Sequence, residues 1–278
     1  MMADYRSEKR VKLIIRAVSA WILAVLIFFP ILWMTLTSFK TELQAISIPP
    51  LLIFEPTLEN FTVIQERSNY FSYAFNSLFL AGFSTIIALA LALPAAYAMA
   101  FFPGKHTKNL LLWMISTKML PAVGVLVPIY LIYRNIGLLD SLVGITIIFT
   151  LINLPIVVWI LYFSFKDTPK EILEACIMDG TSVFQQFIFV LLPINLGGIV
   201  STALLSFVLA WNESFWSINL SANDAGSLAT LIASYSSPEG LFWAKLSAAS
   251  LLTCLPIVVL GWFCQKQIVQ GLTFGAVK

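Results

Sequence analysis

Lys118, Glu213 and Lys245 are ionisable residues set in otherwise apolar stretches of sequence. An ionised side chain at mid-membrane depth costs about 2.5–3.5 kcal/mol on insertion scales, so each needs a partner or an aqueous cavity. Glu213 is therefore expected to pair with Lys118 or Lys245. The plainer reading of Lys245 is a side chain that snorkels to the membrane surface. Other catalytic chemistry is poorly provided for. The three cysteines, Cys176, Cys254 and Cys264, show no C-x-x-C spacing, and His106 is the single histidine. This argues against a metal site or Cys/His catalysis. A phosphate loop of the form G-x-x-x-x-G-K-[ST] is missing as well. Gly104-Lys105 has no upstream glycine at the required spacing and is followed by His106, so the chain has no backbone cradle for nucleotide phosphates.

The elements that must position these residues are membrane helices. Of 278 residues, 59% are hydrophobic and 11% charged, against roughly 25% charged in a soluble domain. A soluble globular, disordered or disulfide-stapled protein is excluded. The net charge of +2 is too small to argue for nucleic acid. A crossing helix needs about 20 mostly apolar residues, and six stretches qualify: residues 18–39, 76–102, 110–133, 141–163, 195–215 and 241–263. The fold class is all-α, a polytopic membrane protein with six transmembrane helices, and residues 1–278 read as one membrane domain. The first apolar run is too long for the core of a cleaved signal peptide, so it reads as a retained helix. With six spans, eleven lysines and arginines fall on the side of the termini and three on the other, which predicts that both termini are cytoplasmic. Span three is expected to place Lys118 about 12 Å into the membrane as one continuous helix. Prolines 94, 121, 128, 155 and 256 interrupt spans two, three, four and six. Pro121 and Pro128, with Gly124 between them, suggest a bend in span three.

The connection from Lys166 to Leu192 is long for a link between membrane helices, and it is patterned. Thr168-Pro169-Lys170-Glu171 reads as a capping box with proline at the first helical position. Glu171, Glu174, Ala175 and Met178 follow helical spacing, and Asp179-Gly180 stops the helix. Ser182-Val183-Phe184-Gln185 reads as a second capping box, opening a helix that runs to about Val190, before Pro193. The loop is thus a helix–turn–helix at the cytoplasmic face. It can rest on lipid headgroups as an amphipathic hairpin, or dock a soluble partner through a close-approach alanine and acidic contacts.

Glu174-Ala175-Cys176, Gly180, then Val190-x-Leu192-Pro193 resembles the E-A-A–x3–G–x9–I-x-L-P signature of inner-membrane permease subunits of bacterial binding-protein-dependent ABC importers. Cys176 stands for the second alanine and Val190 for the isoleucine. The likeness extends along the whole chain. Pro56-Thr57-Leu58-Glu59-Asn60-Phe61, Asn76-Ser77, Ala96-Tyr97-Ala98, Trp211-Asn212-Glu213 and the ending Gly271 to Lys278 are similar to the sugar-permease subgroup and its maltose-permease-like second subunit. Ser116 to Pro121 and Ser236 to Lys245 look like mannitol and sorbitol (polyol) permeases.

The resemblance implies a non-catalytic subunit with no cofactor of its own, placed in the bacterial inner membrane. ATP and Mg would be bound by two partner ATP-binding subunits, beside a second homologous permease and an external solute-binding protein. The Pro169–Asp179 helix would dock in a groove of the ATPase, with Glu171, Glu174, Ala175, Cys176, Met178, Asp179, Gly180, Leu192 and Pro193 as coupling residues. The tail Gln270–Lys278 would either touch the ATPase pair or fray. A polyol or sugar is neutral and densely hydroxylated, and its site needs donors, acceptors and flat apolar faces. Lys118, Asn153, Trp211, Asn212, Glu213, Trp216 and Lys245 offer those types. For Asn153 and Asn195 the plainer role is hydrogen bonding between helices, and Asn212-Glu213 can equally face the paired permease. A disaccharide permease is the nearer alternative. A stand-alone secondary transporter is the more distant one; it predicts inverted repeats and relay carboxylates, which the sequence does not show.

Overall fold

In the computed structural model, residues 2–237 and 240–272 are described, with side chains described for residues 12–236 and 242–265. Pro238 and Glu239 of the polyol-like stretch, and the last six residues of the tail, lie outside the described residues. Among the described residues four helices are long and apolar enough to cross a membrane, and two bent helix pairs bring the number to six if each pair is one span.

The chain divides into two compact units. The first holds residues 1–68 and 234–254. Its α1 (Met2–Ser38) carries the first apolar stretch, Lys12–Ser38. Large apolar side chains from Leu13 to Leu32 are exposed around the helix, as a lipid-facing helix requires. Just past its end, Lys40 is only 2% exposed. Its ammonium lies 4.6 Å from the Trp33 ring centroid and 5.0 Å from that of Phe54, a cation–π box. Thr41 and Gln44 form a reciprocal capping box on α2 (Glu42–Ala45). Asn60 of α3 (Glu59–Ser68) donates to the carbonyls of Ser38 and Lys40 at 2.9 and 2.7 Å.

The second unit holds residues 69–233 and 255–278. Its centre is α4 (Tyr70–Phe101) packed on α7 (Leu142–Lys166). Ala88, Ala92 and Ala96 recur every fourth residue on α4 and are fully buried with Val157, Val158, Leu161 and Phe165 of α7. Small residues let the helix backbones approach closely where lipid supplies no hydrophobic drive. Thr85 of α4 donates to the Ser206 hydroxyl at 3.4 Å, and Asn153 of α7 donates to the Ser206 carbonyl at 3.4 Å. Both tie the pair to α11 (Leu196–Trp211).

Span three is not one helix. It is α5 (Thr107–Thr117) and α6 (Ala122–Asn135), bent by 89° at the break. Pro121 is the N-cap of α6 with ψ 124°. It cannot donate to the carbonyl four residues back, and it pushes Leu120 out of helical geometry. Lys118 therefore sits at a corner rather than part-way up a continuous rod.

The patterned connection forms α8 (Lys170–Met178), α9 (Val183–Gln185), a π-helical segment at Gln186–Leu191, and α10 (Leu192–Ile194). The winding passes through Pro193 instead of stopping near Val190. The run Val183–Ile194 then meets α11 at 78°. Helix α11 ends at Trp211, short of the expected Phe215. After the break come α12 (Phe215–Leu220) and α13 (Leu228–Ser234). Two-residue strands β1 (Ser236–Ser237) and β2 (Gly240–Leu241) pair antiparallel, Ser236 opposite Leu241. The final α14 (Trp243–Leu272) gives residues up to Cys254 to the first unit and the remainder to the second.

Candidate functional site

At one end of the second unit α8 is anchored from below and bare above. Leu173 is buried in the α4–α7 core. Asn195 binds the entry and exit of the loop together. Its amide oxygen accepts from the Ser164 hydroxyl at 3.2 Å, and its Nδ2 donates to the Thr168 hydroxyl at 2.9 Å and to the Leu191 carbonyl at 3.0 Å. Asn195 is thus an interhelical tie. This use of Thr168 corrects the first capping box: the N-cap is Pro169, with no side-chain cap bond. The helix end forms as its residues predict. Gly180 has φ 76°, its N–H donates to the Ile177 carbonyl, and the Thr181 N–H donates to the Cys176 carbonyl, a Schellman closure. The second capping box, Ser182 with Gln185, is present on both sides.

Glu171, Glu174, Ala175, Met178, Asp179, Gly180 and Pro193 are exposed, while Cys176 and Leu192 are half-buried. Among them stand large bare apolar side chains: Met178 is 88% exposed and Phe184 70%, with Ile177 and Val183 also exposed. Exposed apolar groups of this size beside carboxylates are the kind of surface that meets a protein partner or a membrane interface. The anchor Leu173 and the apolar residues Ile177 and Val183 went unmarked in the sequence. Their apolar type at helical spacing is the signal that could have found them.

A second candidate lies within the same unit, at the two broken spans. A cleft of about 330 Å³ is lined by Lys118, Glu213 and Trp216, with Thr117 of α5, Ile129 of α6 and Ile152 and Pro155 of α7. Lys118 Nζ donates to the Ile152 carbonyl at 2.7 Å. Pro155 cannot donate to the Leu151 carbonyl, so the α7 ladder is opened at this turn. Glu213 Oε1 accepts from the Trp216 N–H at 3.2 Å, satisfying an orphan donor at the start of α12.

Three of the seven pathway residues thus come together, and four do not line this cleft. Asn153 is buried on Ser206. Trp211 is buried and stacked on Phe207, with centroids 5.8 Å apart. Asn212 donates back to the Val208 carbonyl of its own helix. Lys245 belongs to the first unit, where its Nζ lies 3.4 Å from Glu42 Oε1. The Glu42 carboxylate also accepts from the N–H groups of Ala244 and Lys245, capping the positive end of α14. Of the two partners expected for Glu213, Lys245 is instead paired with Glu42. Lys118 and Glu213 share a cleft without an ion pair, since each is engaged by backbone. Among the described residues no three His, Cys, Asp or Glu side chains gather into a metal-holding group.

At the far side of α12 the Asp140 carboxylate accepts from the N–H groups of Ala222, Asn223, Asp224 and Ala225 at 2.9–3.2 Å. Partial burial pushes its pKa up, but these four donors outweigh burial and hold it down at about 2. Asp140 was not a sequence candidate; nothing within a few residues of it announces partners so far along the chain.

Residues 92–269 match the model of a family described as binding-protein-dependent transport system inner membrane component. A probable ABC transporter permease protein, y4oR, of Sinorhizobium fredii is 32% identical over 257 residues, 92% of each chain. The diacetylchitobiose uptake system permease protein DasC of Streptomyces coelicolor is 31% identical, over 94% of this chain and 95% of that one. In fold, a chain from the crystal structure of a bacterial ABC transporter involved in the import of the acidic polysaccharide alginate superposes with a TM-score of 0.73, covering 92% of this chain and 96% of that one at 19% identity.

Proposed function

This chain belongs to the family of inner membrane components of binding-protein-dependent transport systems, and on that premise we propose that it is the permease subunit of an ATP-driven importer for a neutral polyhydroxylated solute, a sugar alcohol or small sugar. The observation that carries the coupling half of the reading is the loop of α8 and α9: rooted by Leu173 and Asn195, yet presenting Met178, Ile177, Phe184 and three carboxylates outward. Nucleotide-driven closure of a partner ATPase, which would hold ATP and Mg, pushes on this surface. The push passes through Asn195 into α7 and α11 together.

Both termini and α8 face the cytoplasm in this scheme, with the external binding protein on the opposite side. A second, homologous permease completes the pathway, and the cleft of Lys118, Glu213 and Trp216 is this subunit's contribution to it. Charged groups and the Thr117 hydroxyl beside an indole face suit hydroxyls and the apolar face of a sugar. The likeness of Ser116 to Pro121 to polyol permeases favours a polyol. DasC, named for diacetylchitobiose uptake, favours a disaccharide as the second reading.

The test is reconstitution into vesicles. ATP-dependent uptake is expected only with the ATPase, the second permease and the binding protein present, and competition by mannitol, sorbitol and diacetylchitobiose ranks the two solute readings. Accumulation by vesicles holding this chain alone refutes the scheme and makes it a secondary transporter.

A further inference from the structure

The cleft depends on α12, which carries Trp216 and follows Glu213, and α12 has only six residues. A helix that short has no stability of its own; it is placed by the burial of Trp216, Ser217 and Leu220, by its packing on α6 and α7, and by what grips its ends. At its start Glu213 accepts from the Trp216 N–H. At its end the grip comes from residues far away in sequence. The Asp140 N–H donates to the Leu220 carbonyl at 2.8 Å. The Asp140 carboxylate then takes four successive backbone N–H groups, from Ala222 to Ala225, in five contacts of 2.9–3.2 Å.

Asp140 itself has φ 52°, a left-handed conformation that aspartate and asparagine tolerate better than most residues. The segment beyond is pinned again. Asn76 Nδ2 donates to the carbonyls of Asp224 and Gly226 at 2.9 Å each, and the Ser77 hydroxyl accepts from the Leu228 N–H at 2.7 Å. With its oxygens occupied by these donors, the Asp140 carboxylate is not poised to bind a solute or a cation. Its work is mechanical.

We infer that Asp140 is the positioning residue of the solute cleft: by holding the segment after α12 it fixes the wall bearing Glu213 and Trp216 opposite the corner bearing Lys118. The inference rests on the reading of that cleft as a solute-contact site. Loss of the clamp lets α12 drift, which weakens solute engagement while leaving α8 and its docking surface intact.

The experiment uses the complete reconstituted transporter. Asp140→Asn keeps a residue that accepts the left-handed backbone but removes the charge and one accepting oxygen. Amide hydrogen exchange at residues 222–225 is expected to quicken at least tenfold, with α8 exchange unchanged. The apparent KM for uptake should rise at least fivefold while the maximal rate stays within twofold. Asp140→Glu, which retains a carboxylate one methylene further out, should give the same shift at smaller size, and it carries the test if the Asn variant fails to assemble. Unchanged exchange at 222–225, an unchanged KM, or a lower maximal rate at constant KM overturns the inference. If the wild-type complex shows no saturable uptake of any polyol or sugar, the functional reading falls and takes this one with it. If the wild type transports and the variants keep its KM, only this inference falls.

Discussion

The two ends of the second unit are built by opposite means. The exposed turn at the α8 end is written in short-range contacts: the Ser182–Gln185 box spans three residues, and Thr181 closes on Cys176 across five. The Asp140 end is written across 82 to 85 residues. Local contacts form from the residues that make them and survive a change elsewhere. Long-range ties require the whole unit to have folded and fix distances between remote elements. The first kind suits a knob that must present a surface; the second suits a cavity whose width matters.

The widest separation between the two ends should come from Gly180→Pro. Proline cannot adopt φ 76°, so the turn must rearrange. ATP-coupled uptake is expected to fall to about a tenth or less, with membrane insertion and exchange at 222–225 unchanged; insertion is followed by membrane fractionation. Normal uptake breaks both the comparison and the docking idea. Glu174→Lys, reversing a charge on the exposed face, should reduce co-purification of the ATPase about tenfold without altering thermal stability.

Asn195→Leu falls between the two kinds, since Asn195 joins residues 27 and 31 positions away. It strips partners from Ser164, Thr168 and Leu191, and should destabilise the chain by about 2–3 kcal/mol, read as a lowered melting temperature in detergent. Ser182→Ala removes one cap bond and should cost about 1 kcal/mol, visible as faster exchange confined to α9.

The smallest effect is one of pH. The folded pKa of Asp140, about 2, lies below its ordinary value of 3.8, so its clamp contributes fully above pH 4 and fades as pH falls towards 2. Between pH 5 and 8 its contribution is constant, so melting temperature should show no pH dependence from it there. Between pH 4 and 2 the wild type should lose more stability than Asp140→Asn; parallel curves would mean the clamp adds nothing.

This division also explains how much could be read in advance. The apolar runs marked the four long apolar helices and both bent pairs, and Gly180 and Ser182 announced their turns, because apolar length and capping are decided within a few residues. The break at Pro121 was not legible as a break. A proline within a span can kink it gently or end it, and the outcome depends on neighbours such as Ile152 that accept the freed Lys118. Thr168 looked like a cap and was claimed by Asn195, 27 residues away. Lys245 read most plainly as snorkelling, or else as a partner of Glu213, and instead meets Glu42, 203 residues before it. Asp140 gave no signal, because its donors are plain backbone of Ala222, Asn223, Asp224 and Ala225, and backbone has no sequence.

The widened winding at Gln186–Leu191 has a consequence for the history of the chain. A π-turn holds one residue more than ordinary helix needs over the same arc. A relative one residue shorter between Ser182 and Pro193 can run plain α through this stretch and still deliver its proline to the same place. Gaps of a single residue in alignments of such chains should therefore gather at this turn, where an insertion is absorbed as a bulge instead of rotating everything that follows.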